Sequence, residues 1–419
     1  MTSPRRSVAI VGGGIIGAST AFFLARLARS RNLAIDITLV EGTAVAAGAS
    51  GKAGGLLALD WHGPATASLA ALSYKLHADL ATEFDGASRY GYRQLDTLSV
   101  SADFSAQSGK ARRQKRLAGA DLFPWLNADI VTDSDVLGSK DTTAQVHPEQ
   151  FTHFLVSSAK DLGVRLVYGT ATGLTRSPDG SSYTLALDPL GEAERASTPA
   201  APSPSAPESN TPVAVPASSA CPRTLTASHL VLAAGPWTGS LLATLGLAAQ
   251  AGRAADIGGS RAHSVVLRTA EGRDLPAQAL FTSIKEKSGH AEPEIYNRPD
   301  GTSYACGPTD STPLPLTASH VAVSPEAISS LLAQTARLAP RFLSDEAGVR
   351  VERRQACYLP VGSGDPVVGR IEGAEGGGVW VAAGHSCWGI CNGPGTGQVM
   401  AELLLDGKAS SADIRRLGP

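Results

Sequence analysis

Cysteine is scarce in this chain of 419 residues, which holds five, Cys221, Cys306, Cys357, Cys387 and Cys391, in no even or compact framework. That excludes the disulfide scaffold of a small secreted domain and fits free thiols in a reducing compartment. Cys387 and Cys391 lie four apart with no second ligand pair, so neither a zinc site nor any other metal site is expected. Net charge is nearly absent, with 36 Lys and Arg against 38 Asp and Glu and a formal balance of −2. Such a balance marks no nucleic-acid surface, and the basic run Lys110 to Arg116 (KARRQKR) reads as the solvated face of a helix. Apolar runs long enough to span a membrane are missing as well. The amino end, MTSPRRSVAIVG, enters an apolar strand within a few residues and leaves no room for a signal peptide. At the other end RRLGP is no peroxisomal address. These absences predict a soluble, cytoplasmic protein without a membrane span, with peripheral association with endosomes left open.

What is present is a strand, a glycine turn, a helix and a second strand ending in an acid, in SVAIVGGGIIGASTAFFLARLARSRNLAIDITLVE from Ser7 to Glu41. Val8 to Val11 is wholly apolar, as a parallel strand buried on both faces requires. Gly12, Gly14 and Gly17 stand in GxGxxG spacing: the first for the tight turn, the second for approach of backbone to a pyrophosphate, the third for close packing of helix on strand. The phosphates of a dinucleotide would meet the free N–H groups and the positive end of the helix dipole. A helix from about Ile15 to Arg29 and a strand from Ile35 to Val40 bring Glu41 to roughly twenty residues past the last glycine, where a carboxylate accepts ribose hydroxyls. Glu41 argues against a phosphorylated ribose and hence against NADP. At this point the dinucleotide is of undecided kind.

The length exceeds one core of ordinary size and predicts two domains, or one with large insertions. The stretch 189–221 is dominated by Pro, Ala and Ser and predicts a disordered surface insertion. Gln150 to Leu162 reads as a helix, Val164 to Tyr168 and Tyr183 to Leu187 as strands, and Leu230 to Ala233 as an apolar strand ending at Gly235 before the helical TGSLLATLG. Between Ile257 and Thr309 short alternating segments such as Ser264 to Arg268 and Ser303 to Gly307, with turn residues at Arg298 to Gly301, predict an antiparallel sheet. An amphipathic helix follows over Pro325 to Leu338. The chain then returns through strands at Pro366 to Val368 and Val379 to Ala382 to a glycine-rich stretch, GHSCWGICNGPGTGQ, and a final helix over Gln398 to Leu405. The nucleotide domain is therefore expected to be discontinuous.

Four motifs stand in a recognisable order: VAIVGGGIIG with Glu41, AAGASGKAGGLLA (Ala46 to Ala58), LVLAAGPWTGSLL (Leu230 to Leu242), and GDPVVGRIEG followed by VAAGHSCWGICNGPGTGQVMAELL (Gly364 to Leu404). With VHPEQFTHFL (Val146 to Leu155), they make the chain resemble the FAD-dependent D-amino-acid oxidase superfamily of glycine and sarcosine oxidases, and within it a subgroup of FAD oxidoreductases from fungi and plants. The resemblance covers nearly the whole chain outside the Pro/Ser-rich insertion and is specific for FAD over NAD. It implies an α/β fold with a discontinuous Rossmann-like FAD-binding domain and a mixed or antiparallel-sheet substrate domain of α+β character. The implied division is FAD-binding over 1–65, 146–188 with 222–252, and 346–419, substrate domain over 66–145 and 253–345, and the insertion over 189–221. For the cofactor it implies the turn Gly12, Gly14, Ile15, Ile16 and Gly17, then Glu41 and Gly42 at the ribose. Ala49, Ser50, Lys52, Ala53, Gly54, Gly55 and Leu56 would pass near the pyrophosphate and flavin, with Ala234, Gly235 and Trp237 from the middle of the chain. Gly384, His385, Trp388, Gly389 and Ile390 would lie at the ribityl chain and the pyrimidine end of the ring, where the last helix's amino end stabilises charge on reduced flavin.

The implied chemistry is hydride transfer from an amine-bearing carbon to flavin N5, hydrolysis of the imine, and reoxidation by oxygen to hydrogen peroxide. Such a reaction needs an oriented C–H bond more than a strong base. The candidates near the ring are Lys52, His62, Tyr358, His385 and Trp388, with Trp61, Tyr296 and Tyr304 as pocket aromatics and Lys52 expected to be solvent-exposed. Two departures stand out. Where amino-acid oxidases place an arginine before a proline to clamp a carboxylate, this chain has Leu359 and Pro360, leaving Arg353 and Arg354 upstream as possible substitutes. The sarcosine-type lysine has no counterpart either. Cys357, in CYLPVGSGD, falls where the sarcosine-oxidase pattern CxYTxTxD places a cysteine bonded to flavin, with LP replacing YT. Alternatives to an amine or amino-acid oxidase are a dehydrogenase of the same fold with another acceptor, or a flavin-holding scaffold in trafficking.

Overall fold

The computed structural model describes residues 6–105, 123–190, 221–271, 275–287, 289–374 and 377–419. The basic run Lys110 to Arg116 and nearly all of the segment 189–221 lie outside the described residues.

Two large sheets organise the chain. The first runs in the order Thr224–Ala227, Tyr183–Pro189, Arg165–Arg176, Ile35–Glu41, Arg6–Val11, His229–Leu232, Gly377–Ala383 and Val367–Ala374. Its middle, from Arg165–Arg176 to Gly377–Ala383, is parallel, and the margins are antiparallel. Alternation of the apolar strand residues explains why both faces are covered. Val8, Ile10 and Leu39 join a core with Phe22 of the helix Ile15–Ser30 and Met400 of the helix Gly389–Asp406, whereas Ala9, Val11 and Val40 face Leu242 and Leu245 near the helix Thr238–Thr244.

The second sheet runs in the order Arg350–Val361, Gly258–Arg268, Thr302–Asp310, Glu294–Asn297, Gln278–Glu286, Asp96–Asp103 and Val131–Gly138, with Gly289–Ala291 paired to Gln278–Glu286. It is antiparallel except where Gln278–Glu286 meets Asp96–Asp103. The helix Pro325–Leu338 covers its outer side through Ile328 and Leu338. That helix has the predicted bounds because Ser324 caps it, its Oγ accepting from the Ala327 N–H at 3.2 Å, and Pro325 follows where no donor is needed. A small sheet of Leu56–Ala58, Thr143–Gln145 and Arg93–Gln94 forms a third layer.

Two readings of the sequence are corrected. Arg350–Val361, assigned above to the FAD-binding part over 346–419, pairs along its length with Gly258–Arg268 of the second sheet. The last helix begins at Gly389, not Gln398, so most of the glycine-rich stretch is helical. Its glycines serve packing: a Cβ at Gly393 would lie 2.6 Å from Ile15 Cγ1, and one at Gly397 2.5 Å from the Ser19 carbonyl carbon. Side chains there would force the first and last helices apart.

Candidate functional site

The glycine turn ends the first strand at Gly12, whose φ of +115° and whose position, where a Cβ would collide with the Ala233 carbonyl, admit only glycine. Beyond it the helix Ile15–Ser30 opens with no capping side chain of its own; Ser50 Oγ accepts from the Ile15 N–H at 2.9 Å instead. Glu41 ends the neighbouring strand and turns back over the turn. One carboxylate oxygen accepts from the Gly13 N–H at 2.6 Å and the other from the Thr43 N–H at 2.7 Å. Burial pushes its carboxyl up to about 7 against these backbone donors.

These groups open onto a cleft of ≈ 590 Å³. On one side it is lined by Gly12, Gly14, Ile15 and Ile16, then Glu41 and Gly42, then Ala49, Ser50 and Ala53. Ala234, Gly235 and Trp237 line it from the middle of the chain, and Gly384, His385, Gly389 and Ile390 from the end. The structure adds Gly169, Thr170 and Thr172, and Thr317 with Ala318, which no motif announced. Leu359 and Pro360 also stand on the wall, so the place of the carboxylate-clamping arginine is apolar.

At the far end the 18-residue helix Gly389–Asp406 points its amino terminus at the cleft with no capping side chain. Its free N–H groups and dipole favour negative charge there. His385 contributes no charge, because burial pushes it down to about 4. Its Nε2 lies 3.0 Å from Thr396 Oγ1, and its buried Nδ1 has no partner.

Several candidates lie off the cleft wall. Gly17 is buried in the first helix against Gly12, and Gly55 turns at φ +94° where Leu56 starts the small sheet. Lys52, expected to be exposed, is instead folded inward: Nζ donates to the Ala356 carbonyl at 3.0 Å, and burial lowers its pKa. Cys357 is buried beside it, its thiol pushed up to about 11. Tyr358 alternates to the opposite side of the strand and donates to the Pro313 carbonyl at 2.8 Å, away from Tyr296 and Tyr304. Arg353 pairs with Glu149 at 2.8 Å, and Arg354 is exposed, so neither replaces the missing clamp.

The remaining aromatics assemble on the inner face of the second sheet. Tyr296 and Tyr304 are cross-strand partners with ring centroids 5.9 Å apart, Phe281 stands 6.0 Å from Tyr296, and Trp61 stands 5.4 Å from Phe281. Trp388 continues the wall at 6.5 Å from Trp61, with the His62 ring 4.3 Å from Trp388. The Tyr296 ring lies over Gly54, where a Cβ would meet Cε2 at 2.6 Å, and Tyr304 Oη donates to the Lys52 carbonyl at 2.9 Å. The wall thus adjoins the chain segment that borders the cleft. Phe281, Glu294 and Cys306 share this face and were missed from sequence. The period-2 alternation through Glu294 and Tyr296 was the signal that would have placed the acid beside the tyrosine.

No group of three or more His, Cys, Asp or Glu able to hold a metal occurs among the described residues. No helix among them is long and apolar enough to cross a membrane. The cleft instead fits a flavin dinucleotide: a glycine cradle that any Cβ would fill, a half-buried carboxylate at the second strand, two helix amino ends, and the orphaned His385 nitrogen.

Comparison with known proteins agrees. The family model described as FAD dependent oxidoreductase matches residues 7–403. A Schizosaccharomyces pombe protein provisionally named an oxidoreductase is 38% identical, over 100% of this chain and 98% of its own. Glycine oxidase from Geobacillus kaustophilus superposes with a TM-score of 0.70 at 20% identity, covering 99% of this chain and 98% of that one. L-proline dehydrogenase from P. horikoshii gives 0.69 at 16%, covering 99% and 97%. At these identities the structural likeness is one of fold. The family match over nearly the whole chain, together with a cleft shaped for the dinucleotide, makes this protein a member of the FAD-dependent oxidoreductase family.

Proposed function

We propose that this enzyme oxidises a carbon–nitrogen bond of a small amine or amino-acid-like substrate, with FAD in the cleft and oxygen as the final acceptor. The observation that carries the reading is the aromatic-walled face of the second sheet, which adjoins the segment 52–54 beside the cleft. Bound FAD would supply the hydride acceptor and, on reoxidation by oxygen, release hydrogen peroxide.

The chain's own residues supply binding and orientation. Gly12, Gly14 and Ser50 would hold the pyrophosphate and Glu41 the ribose, while the amino end at Gly389 and Ile390 would favour negative charge at the flavin end. Trp61, Phe281, Tyr296 and Trp388 would exclude water and fix the substrate, so that one C–H bond is presented to the cofactor. No strong base is required at the reacting carbon, and His62, whose pKa burial lowers, stays neutral in this reading. Lys52, whose Nζ donates to the Ala356 carbonyl at 3.0 Å, would add a positive charge near the ring that favours reduction of oxygen.

An anaerobic screen of amines and amino acids, followed by loss of the yellow flavin absorbance, tests the reading. Bleaching by at least one, with rapid recovery in air, is expected; a flavin that no amine or amino acid bleaches overturns it. We further expect the FAD to be held without a covalent bond, because the Cys357 thiol is buried off the cleft wall and pushed up to about 11. Acid precipitation should leave the colour in the supernatant, and colour that stays in the pellet would overturn this expectation.

A further inference from the structure

Glu294 is the ionisable carboxyl of the inner face, and the proposed chemistry has not used it. It stands on the short strand Glu294–Asn297, directly across from Phe281 on one side and Cys306 on the other. Its Oε2 accepts from Tyr296 Oη and from Cys306 Sγ at 3.6 Å. Phe281, Glu294 and Cys306 keep partial exposure on this face, whereas Tyr296 and Tyr304 are buried. A carboxylate therefore looks out between two aromatic rings, Phe281 and Tyr296, with Trp61 beyond Phe281.

The cations around it are turned elsewhere. Arg298, the sole arginine buried among the described residues, donates through Nη2 to the Ala53 carbonyl at 3.0 Å and lies 5.0 Å from the centroid of the Tyr304 ring, its Nε without a partner, so its charge covers Tyr304 and not Phe281 or Tyr296. Lys52 is spent on the Ala356 carbonyl and Arg353 on Glu149. Leu359, on the cleft wall, offers no charge. A substrate carboxylate set between Phe281 and Tyr296 would meet the Glu294 carboxylate. An ammonium would find a counter-ion and the negative faces of two or three rings.

We propose that this face takes a cationic amine whose reacting carbon bears no carboxylate, with Glu294 as its counter-ion. This rests on the amine-oxidising reading above and narrows its substrate class. Where the bound ammonium is also the reacting nitrogen, one N–H proton passes to a Glu294 oxygen, ammonium plus carboxylate giving neutral amine plus carboxylic acid. The nitrogen lone pair is then free before the C–H bond breaks. Burial raises the pKa of Glu294, which suits it to receive that proton.

The test separates binding from turnover. Benzyltrimethylammonium, which has no N–H and no lone pair to oxidise, and benzoate, of similar shape and opposite charge, are titrated into the FAD-loaded full chain by calorimetry and by the flavin visible band. The cation should saturate and benzoate should not. Glu294→Gln should weaken the cation at least tenfold with FAD content unchanged, and Phe281→Leu should weaken it a few-fold through the lost ring face. Benzoate binding tighter than the cation, or a cation affinity untouched in both variants, overturns the proposal. If Glu294→Gln fails to retain FAD, the wild-type preference and Phe281→Leu decide the matter. Failure of the oxidase reading would appear separately, as a flavin that binds the cation and is bleached by nothing.

Discussion

Glu41 is the residue on which cofactor affinity should turn. Its carboxyl, ordinarily near 4.5, is raised to about 7 in the cofactor-free chain. A group raised on folding contributes stability that is full below its unfolded value and is lost as pH rises through its folded value, so the cofactor-free chain should lose stability between about 4.5 and 7. Ribose hydroxyls donate to the ionised form, so FAD affinity should rise over the same window. The gain in melting temperature on adding FAD is expected to be larger at pH 8 than at pH 5; an equal gain would remove Glu41 from the site. Glu41→Gln should weaken FAD by roughly 10- to 100-fold, the worth of about 1.5–3 kcal/mol for hydrogen bonds to a charged acceptor, read by fluorescence titration. The place of this residue was legible because it is local: an acid at the end of the second apolar strand has one geometric consequence. Glu294 was not, because its importance depends on pairing with Phe281 and Cys306 from two other strands. Lys52 was misread for the same reason, since nothing near it in sequence shows that Ala356 will be its partner.

Among elements, the first and last helices are the pair that frames the cleft. Gly393 and Gly397 lie one turn apart and let the backbones approach. Gly397→Ala adds helix propensity of about 1 kcal/mol. It also drives a methyl into the Ser19 backbone, and overpacking of that kind costs about 1–3 kcal/mol. A net fall in melting temperature and weaker FAD retention are expected, and a variant as stable as the parent would show that the helices tolerate separation. The glycines and Pro394 are also why the sequence predicted a loop down to Gln398: their propensities oppose a helix, and only the distant partner overrides them. By contrast Pro325–Leu338 carries its own cap and a clean 3.6-residue period, and its bounds were legible in full.

At the scale of the whole molecule, the described strands on either side of the Pro/Ala/Ser-rich segment are neighbours at a sheet edge. Tyr183–Pro189 and Thr224–Ala227 are antiparallel neighbours, and the Leu187 N–H donates to the Arg223 carbonyl at 2.9 Å. The chain thus leaves and rejoins the sheet at one place. Replacing residues 191–220 by a short glycine-containing turn should leave FAD binding and melting temperature unchanged within a few degrees, as loop-closure cost varies slowly with length. A collapse of either would mean that the segment packs on the domain.

The strand Arg6–Val11 emerges first, yet one of its two neighbours, His229–Leu232, lies more than two hundred residues later, and the next, Gly377–Ala383, later still. Its covering helix likewise waits for Gly389–Asp406. During synthesis the side of the opening helix that Gly389–Asp406 covers has therefore nothing to rest against until that helix is made, while its other side already meets the helix Pro148–Asp161. The nucleotide cleft is closed by Gly384 to Ile390, made long after the glycine turn, so a chain stopped short of Gly377 should emerge as a colourless product in need of chaperone care.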